Sequence, residues 1–271
     1  MTPTIRRAFA DLSVGQVHCA SCGAIDAPPV LLLHQSPRSW REYEAVLPLL
    51  GTRHRAIAMD TVGFGDSAAG SEPASIAHWA RVAAELLDAL RIERIAVVGH
   101  HTGGVIAIEL AAALGERVRA LVLSSTPYTD EAFRRARAER PPIDEVEPSE
   151  DGSHLAALWG KRQGFYPPHR PELLEAFVLD ALKVGRRLEE GHRAVASYRM
   201  EERIDRVTQP VLIVRAPEDP FASPHAQELA QHLRHAASVR IADIEGGMVP
   251  LPDQLPEAFA RCVDDFLAGL A

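Results

Sequence analysis

The run Gly99-His100-His101-Thr102-Gly103-Gly104 follows the apolar stretch Ile95-Ala96-Val97-Val98 and opens a helical pattern that continues to Leu114. A strand, a tight turn and a helix of the form Gly-x-nucleophile-x-Gly push the central side chain out at the end of a sheet, and small residues let the two backbones approach. The central residue here is His101, where such a turn normally carries serine. An imidazole offers no hydroxyl for attack, but histidine as a residue type titrates near physiological pH and is suited to taking a proton.

Other reactive side chains read more plainly. His34, His100 and His101 raise the question of a metal by their number, yet His100 precedes the turn residue and is expected to face away from it. Adjacent residues rarely converge on one ion, so no metal is expected. The spacing Cys19-Ala20-Ser21-Cys22 has no second Cys/His pair at ligand spacing, and with three cysteines in all the thiols are expected to be free and buried on a strand. Gly63-Phe64-Gly65 is too short for a dinucleotide fingerprint, and no cofactor is expected.

These residues need a scaffold, and 271 residues that are 46% hydrophobic and 24% charged can bury a full core. A formal charge of −8 argues against a phosphate-backbone partner, so no nucleic acid is expected. The basic run Arg134-Arg135-Ala136-Arg137 reads as a solvated helix face. No stretch has the length and apolarity to cross a bilayer and Met1 to Arg7 lacks a signal-peptide core, so no membrane partner and a cytoplasmic location are expected.

Short apolar runs alternate with amphipathic segments, the pattern of a mostly parallel, doubly wound α/β sheet. A hairpin over Thr4 to Cys22 is followed by strands at Val30–Leu33, Arg55–Met59, Ile95–Val98 and Ala120–Leu123, with helices over Ile76–Leu90 and Gly103–Leu114. From about residue 127 to 206 the strand pattern stops and helical stretches such as Pro171–Val184 take over, with Pro141 to Pro148 read as an extended or mobile connector. Strands resume at Pro210–Val214 and Ser238–Ile241, and a helix over Leu255–Leu270 closes the chain. The expected organisation is a core of residues 1–126 and 207–271 with a helical insertion over 127–206, too long for a loop.

Five segments in this order resemble the α/β-hydrolase superfamily: Leu33 to Pro37 against its His-Gly-x-Pro oxyanion loop, Met59 to Ser67 against its Asp-x-x-Gly-x-Gly-x-Ser turn, the Gly99 to Gly103 elbow, Glu116 to Leu123, and Ala216 to Phe221. The resemblance spans essentially the whole chain and implies that the insertion is a cap over an active site. It also implies a triad of elbow nucleophile, late acid and final-loop histidine, which fall here on His101, Asp219 and Met248. Two of the three are replaced, and Gln35 stands where the oxyanion loop usually has glycine. The resemblance further assigns oxyanion backbone amides to Ser36 and Thr102, with the Thr102 side chain expected to point elsewhere. It sets His34, Gln35, Trp40, Tyr128 and Phe221 beside the substrate, joined from the insertion by Trp159 and Tyr166. Phe165, His154, His192 and Tyr198 are further candidates there.

Serine attack needs a hydroxyl, a base and a group to orient the base, and a thioether at residue 248 cannot accept a proton. The reading that follows is an enzyme in which His101 is a relocated general base, supported by Asp219 and with Met248 packed in place of the missing ring. Such a base acts without cofactor on a small or medium carbonyl-containing molecule, as in isomerisation, epimerisation, elimination or cyclisation. Two alternatives stand beside it: hydrolysis of an ester, lactone or amide by His101-activated water, and a catalytically inactive, ligand-binding homologue. Substrate identity and oligomeric state are left open.

Overall fold

A computed structural model describes residues 3–270. Eight strands form one sheet: β1 (Arg6–Leu12), β2 (Gly15–Cys22), β3 (Pro29–Leu33), β4 (Arg55–Met59), β5 (Ile95–His100), β6 (Val118–Ser124), β7 (Pro210–Arg215) and β8 (Ser238–Asp243). Their order across the sheet is β1-β2-β4-β3-β5-β6-β7-β8. The first hairpin pairs antiparallel, as does β2 with β4, and every later pair is parallel.

The central strands are apolar runs because both sheet faces are covered. Leu31, Leu33, Val97 and Leu121 pack against the helices α2 (Ile76–Ala89) and α3 (Thr102–Leu114). Val30, Leu32, Val98 and Val122 pack on the other face against α1 (Val46–Leu50) and α10 (Pro256–Ala268). Cys19 and Cys22, three apart on β2, fall on opposite faces and are both free; burial first, with Asp60 assisting, pushes the Cys19 thiol up to about 11. Their spacing is therefore a packing feature.

Between β6 and β7 the chain forms α4 (Glu131–Ala138), α5 (Ser153–Gln163), α6 (Pro171–Val184) and α7 (Glu190–Ser197). Past β7 come α8 (Ala226–His232) and, after β8, α9 (Leu251–Gln254). Two polar anchors tie the helical segment to the core. Glu109 on α3 accepts from Tyr198 Oη at 2.7 Å and from Arg203 at 2.8 and 2.9 Å. Arg38, fully buried after β3, reaches Asp180 of α6 at 2.9 Å, Asp253 of α9 at 2.7 Å and Glu42 at 3.9 Å.

Several expectations change here. Asp144, inside the stretch read as an extended connector, is fully buried and bound by Arg162 and His192. Arg134, read as solvated, pairs with Glu201, and Arg137 lies against the cavity described below. Among the described residues no helix is long and apolar enough to cross a membrane.

β3 leads on one side to β4 and the chain then returns across it to β5, so the loops after β3 and β5 part in opposite directions. Crevices at the carboxyl ends of strands at such a switch point are where open α/β sheets bind ligands. His34 to Arg38 and His100 to Thr102 occupy those two loops.

Candidate active site

His101 sits between β5 and α3 with φ 47° and ψ −112°, a conformation a β-carbon disfavours and one that costs on the order of 1–3 kcal/mol. The turn is held by its amide, which donates to Ser124 O at 3.0 Å, and by close backbone approach. A β-carbon at Gly99 would lie 2.2 Å from Gly103 O, and one at Gly103 would lie 1.9 Å from Leu33 O, so neither position accepts a larger residue. The strained turn projects the imidazole toward the end of β7.

There it meets Asp219. His101 Nε2 lies 2.8 Å from Asp219 Oδ2, with the carboxylate fully buried and the imidazole side chain 15% exposed. The contact is close, although its angles fall outside those of a well-aligned hydrogen bond. The other carboxylate oxygen, Oδ1, accepts the amides of Phe221 at 2.9 Å and Ala222 at 3.3 Å. Burial opposes charge on Asp219, but His101 and the Phe221 amide outweigh it and hold the acid down to about 2, so it is ionised at neutral pH. His101 Nδ1 has no protein hydrogen bond among the described residues and is not sealed from the cavity.

The neighbouring His100 is structural. It is fully buried, with Nδ1 2.9 Å from Ser124 Oγ and Nε2 2.9 Å from Val249 O. Desolvation, joined by the neighbouring His101, pulls it down to about 3, so it is neutral and donates Nε2–H to the Val249 carbonyl. That bond ties the loop carrying Met248 to β5. Met248 is half-buried, its amide donates to Gln254 Oε1 at 2.8 Å, and its side chain is not on the cavity wall.

The loop after β3 is fixed from behind. The Gln35 backbone amide donates to Glu42 Oε2 at 2.9 Å and its side-chain amide donates to Oε1 at 2.5 Å. The Ser36 amide donates to Thr102 Oγ1 at 3.3 Å, so the Thr102 hydroxyl turns into the site, contrary to its expected direction. The Thr102 amide, at the first turn of α3, has no protein acceptor among the described residues and lies where the helix dipole favours negative charge.

Both loops open into a cavity of about 730 Å³. His101, Thr102, Ser36 and Gln35 form its floor, and Tyr128, Phe133, Phe165 and Phe221 supply much of its apolar wall. Phe165 and Phe221 meet edge to face at 4.6 Å, so the helical segment and the acid loop touch across the site. Of the candidates, Gln35, Tyr128, Phe165, His192 and Phe221 line this cavity.

His34, Trp40, Trp159 and Tyr166 do not line the cavity. The buried His34 ring accepts the Thr61 amide at 3.0 Å and donates to Gln35 O at 2.8 Å, bracing the loop after β3. The guanidiniums of Arg7 and Arg41 lie over the Trp40 ring, 5.4 and 5.6 Å from its centroid. Trp159 and Tyr166 pack into the core of the helical segment, and His154 and Tyr198 are likewise elsewhere. Residues missed in the sequence include Phe133, Ile143, Arg140 and Lys161. Only the amphipathic pattern of α4 hints at one of them.

Two His and carboxylate groups are close enough to share an ion, His18/Asp60/Asp66 and Asp144/Glu189/His192. In each an arginine already supplies the positive charge, Arg7 to Asp66 and Arg162 to Asp144. Neither group contains His101.

Residues 28–245 match the α/β-hydrolase fold family, and the chain belongs to it. A 2-hydroxymuconate semialdehyde hydrolase from Pseudomonas sp. (strain CF600) is 34% identical over 159 residues, 56% of this chain and 48% of that protein. A haloalkane dehalogenase from Mycobacterium tuberculosis is 35% identical over 117 residues, 43% of this chain and 40% of that protein. The chain therefore matches half or less of the length of these curated relatives. Among solved structures, a hydrolase from Pseudomonas aeruginosa superposes with a TM-score of 0.76 at 22% identity, covering 97% of this chain and 98% of that one, a likeness of fold.

Proposed function

We propose that this chain is an atypical α/β-hydrolase-fold enzyme in which His101 replaces the elbow nucleophile and Met248 the triad histidine, and in which residues 127–206 act as a cap. Its chemistry is proton transfer on a small or medium carbonyl-containing molecule, without an acyl-enzyme and without a cofactor. The observation that carries this reading is the 2.8 Å contact of His101 Nε2 with Asp219 Oδ2, which leaves Nδ1 as the nitrogen open to the cavity.

With Nε2–H turned to the carboxylate, the Nδ1 lone pair takes a proton from the carbon next to the substrate carbonyl. The C–H bond breaks, an N–H bond forms, and the electron pair moves onto the carbonyl oxygen. The resulting imidazolium is stabilised by ionised Asp219, and the enolate oxygen is stabilised by the Thr102 amide and hydroxyl. Return of the proton to another face or atom completes an epimerisation or isomerisation, and loss of a leaving group completes an elimination.

The names of the curated relatives favour a second reading, in which Nδ1 instead deprotonates a water that adds to an ester, lactone or amide. One experiment addresses both. Wild type, His101→Ala and Asp219→Asn are assayed on ester and lactone panels and, by proton NMR in deuterated water, on ketones and keto acids for exchange at the α-carbon. Exchange lost in His101→Ala supports the first reading, and hydrolysis lost in His101→Ala without exchange supports the second. Full turnover by folded His101→Ala sinks both.

A further inference from the structure

Charge is distributed unevenly around the cavity. His101 comes from a strand end, whereas the arginine and lysine side chains that line the cavity, Arg137, Arg140, Lys161 and Arg162, all come from the helical segment. Two of these are neutralised in place. Arg162 donates to both oxygens of Asp144 at 2.7 and 2.5 Å, and Arg137 lies 4.0 Å from Glu189. Arg140 and Lys161 have no carboxylate within 4.0 Å among the described residues. Of the two carboxylates on the wall, Asp130 caps α4 by accepting the Phe133 amide at 2.8 Å and Glu228 lies 3.6 Å from His225, and neither is within 4.0 Å of Arg140 or Lys161. Two cations on the wall thus lack a directly paired carboxylate, beside an apolar surface that includes Tyr128, Phe133, Phe165 and Phe221.

We propose that Arg140 and Lys161 make this site selective for an organic acid, with its carboxylate at these two cations, its apolar body along Phe133, Phe165 and Phe221, and its reacting carbonyl toward His101. The assignment of the carbonyl end rests on the proposed role of His101, while the carboxylate end stands on the charge pattern alone. The cavity volume suits such a ligand, since sites for drug-sized molecules commonly enclose about 300–1,000 Å³. Both cations are exposed, so their attraction is screened by salt and amounts to several-fold in affinity.

The test is calorimetric binding of 6-phenylhexanoate and its neutral isostere 6-phenylhexanamide to wild type, the double variant Arg140→Gln/Lys161→Gln, and His101→Ala. Wild type is expected to prefer the acid by roughly 5- to 20-fold at low salt, the preference shrinking as salt is raised. The double variant, whose changes are on exposed side chains, is expected to bind the amide as wild type does and to lose the preference. Equal binding of acid and amide by wild type, absence of acid binding, or a preference that survives in the double variant each overturns the proposal. A preference retained in His101→Ala supports it independently of catalysis, so loss of the His101 mechanism and loss of the anion site are separately visible.

Discussion

The Ser36 amide and the Thr102 hydroxyl are joined at 3.3 Å on the floor of the site, so one of the two amides expected to receive an oxyanion already has a side-chain acceptor. The hydroxyl keeps its own hydrogen, which is free to point at substrate. Thr102 then supplies two donors from one residue, its amide and its hydroxyl, with Ser36 polarising the second. Thr102→Val keeps the branched shape and leaves the Ser36 amide without an acceptor, at a cost of about 1 kcal/mol in a denaturant titration. Turnover on whichever substrate the panels identify should fall by about 10- to 100-fold and return with Thr102→Ser. Wild-type turnover by Thr102→Val would remove the hydroxyl from the mechanism.

His101→Ala should destabilise the fold in a pH-dependent way. Asp219 is fully buried, and without its partner the burial that now only opposes ionisation becomes dominant. In wild type the acid is depressed to about 2, so its stabilising contribution is present above about pH 4 and is lost as pH falls toward 2. In the variant the acid rises above its ordinary range and its penalty is relieved as it protonates. The gap between the two proteins should be about 2–4 kcal/mol at pH 7, taken below a fully buried pair because the ring is partly exposed, and should narrow steadily toward pH 4. Denaturation midpoints at four pH values measure it, and a gap independent of pH would contradict the stabilisation of ionised Asp219 by His101.

Much of this arrangement can be read before any coordinates. Central parallel strands are covered on both faces, so β3, β5, β6 and β7 stand out as unbroken apolar runs, and the positions of His101 and Asp219 follow from the loops after them. The cavity wall contributed by the helical segment does not follow. Whether Lys161, Ile143 or Trp159 faces the site depends on how α4, α5 and α7 lean on the core, which is set by contacts far apart in sequence such as Arg38 with Asp180. Local pattern is also silent on hydrogen-bond partners. Trp40 and His34 lie beside the oxyanion loop in sequence, but cation stacking and a backbone bond turn them away from substrate.

The proposed replacement of the triad makes a constructive prediction. Wild type should take no adduct at residue 101 from a fluorophosphonate, since no hydroxyl stands at the elbow. The double substitution His101→Ser/Met248→His places a hydroxyl on the same strained turn and an imidazole on the loop that His100 anchors through Val249 O at 2.9 Å, with Asp219 left to orient it. Intact-mass measurement should then reveal one phosphonyl group at residue 101 of the double variant and none on Met248→His alone. Labelling of wild type at another serine would expose a nucleophile outside the elbow and contradict the reading of His101 as the reacting group.

The buried anchor between core and helical segment carries a second pH signature, of opposite sign to Asp219. Around one guanidinium, Arg38, stand three carboxylates, Glu42, Asp180 and Asp253, so the cluster holds more negative than positive charge when all are ionised. Desolvation is the chief cause that pushes Asp253 up to about 6, against the attraction of Arg38 and with the help of Glu42, and burial raises Glu42 as well. A carboxyl raised in the folded state binds its proton more tightly there than in the unfolded chain. Its contribution to stability is therefore fully present below about pH 4 and is lost as pH rises through about 6. Asp253→Asn removes that titration while keeping the shape of the side chain. Stability of wild type relative to Asp253→Asn should thus fall between pH 4 and pH 6.5 and level off above it, by about 1.4 kcal/mol for each pKa unit of the shift at most. Glu42 and Asp180 remain in both proteins, so the difference isolates Asp253. A difference that is flat across this range, or that rises with pH, would mean that Arg38 keeps Asp253 ionised and that the surplus proton rests on another member of the cluster.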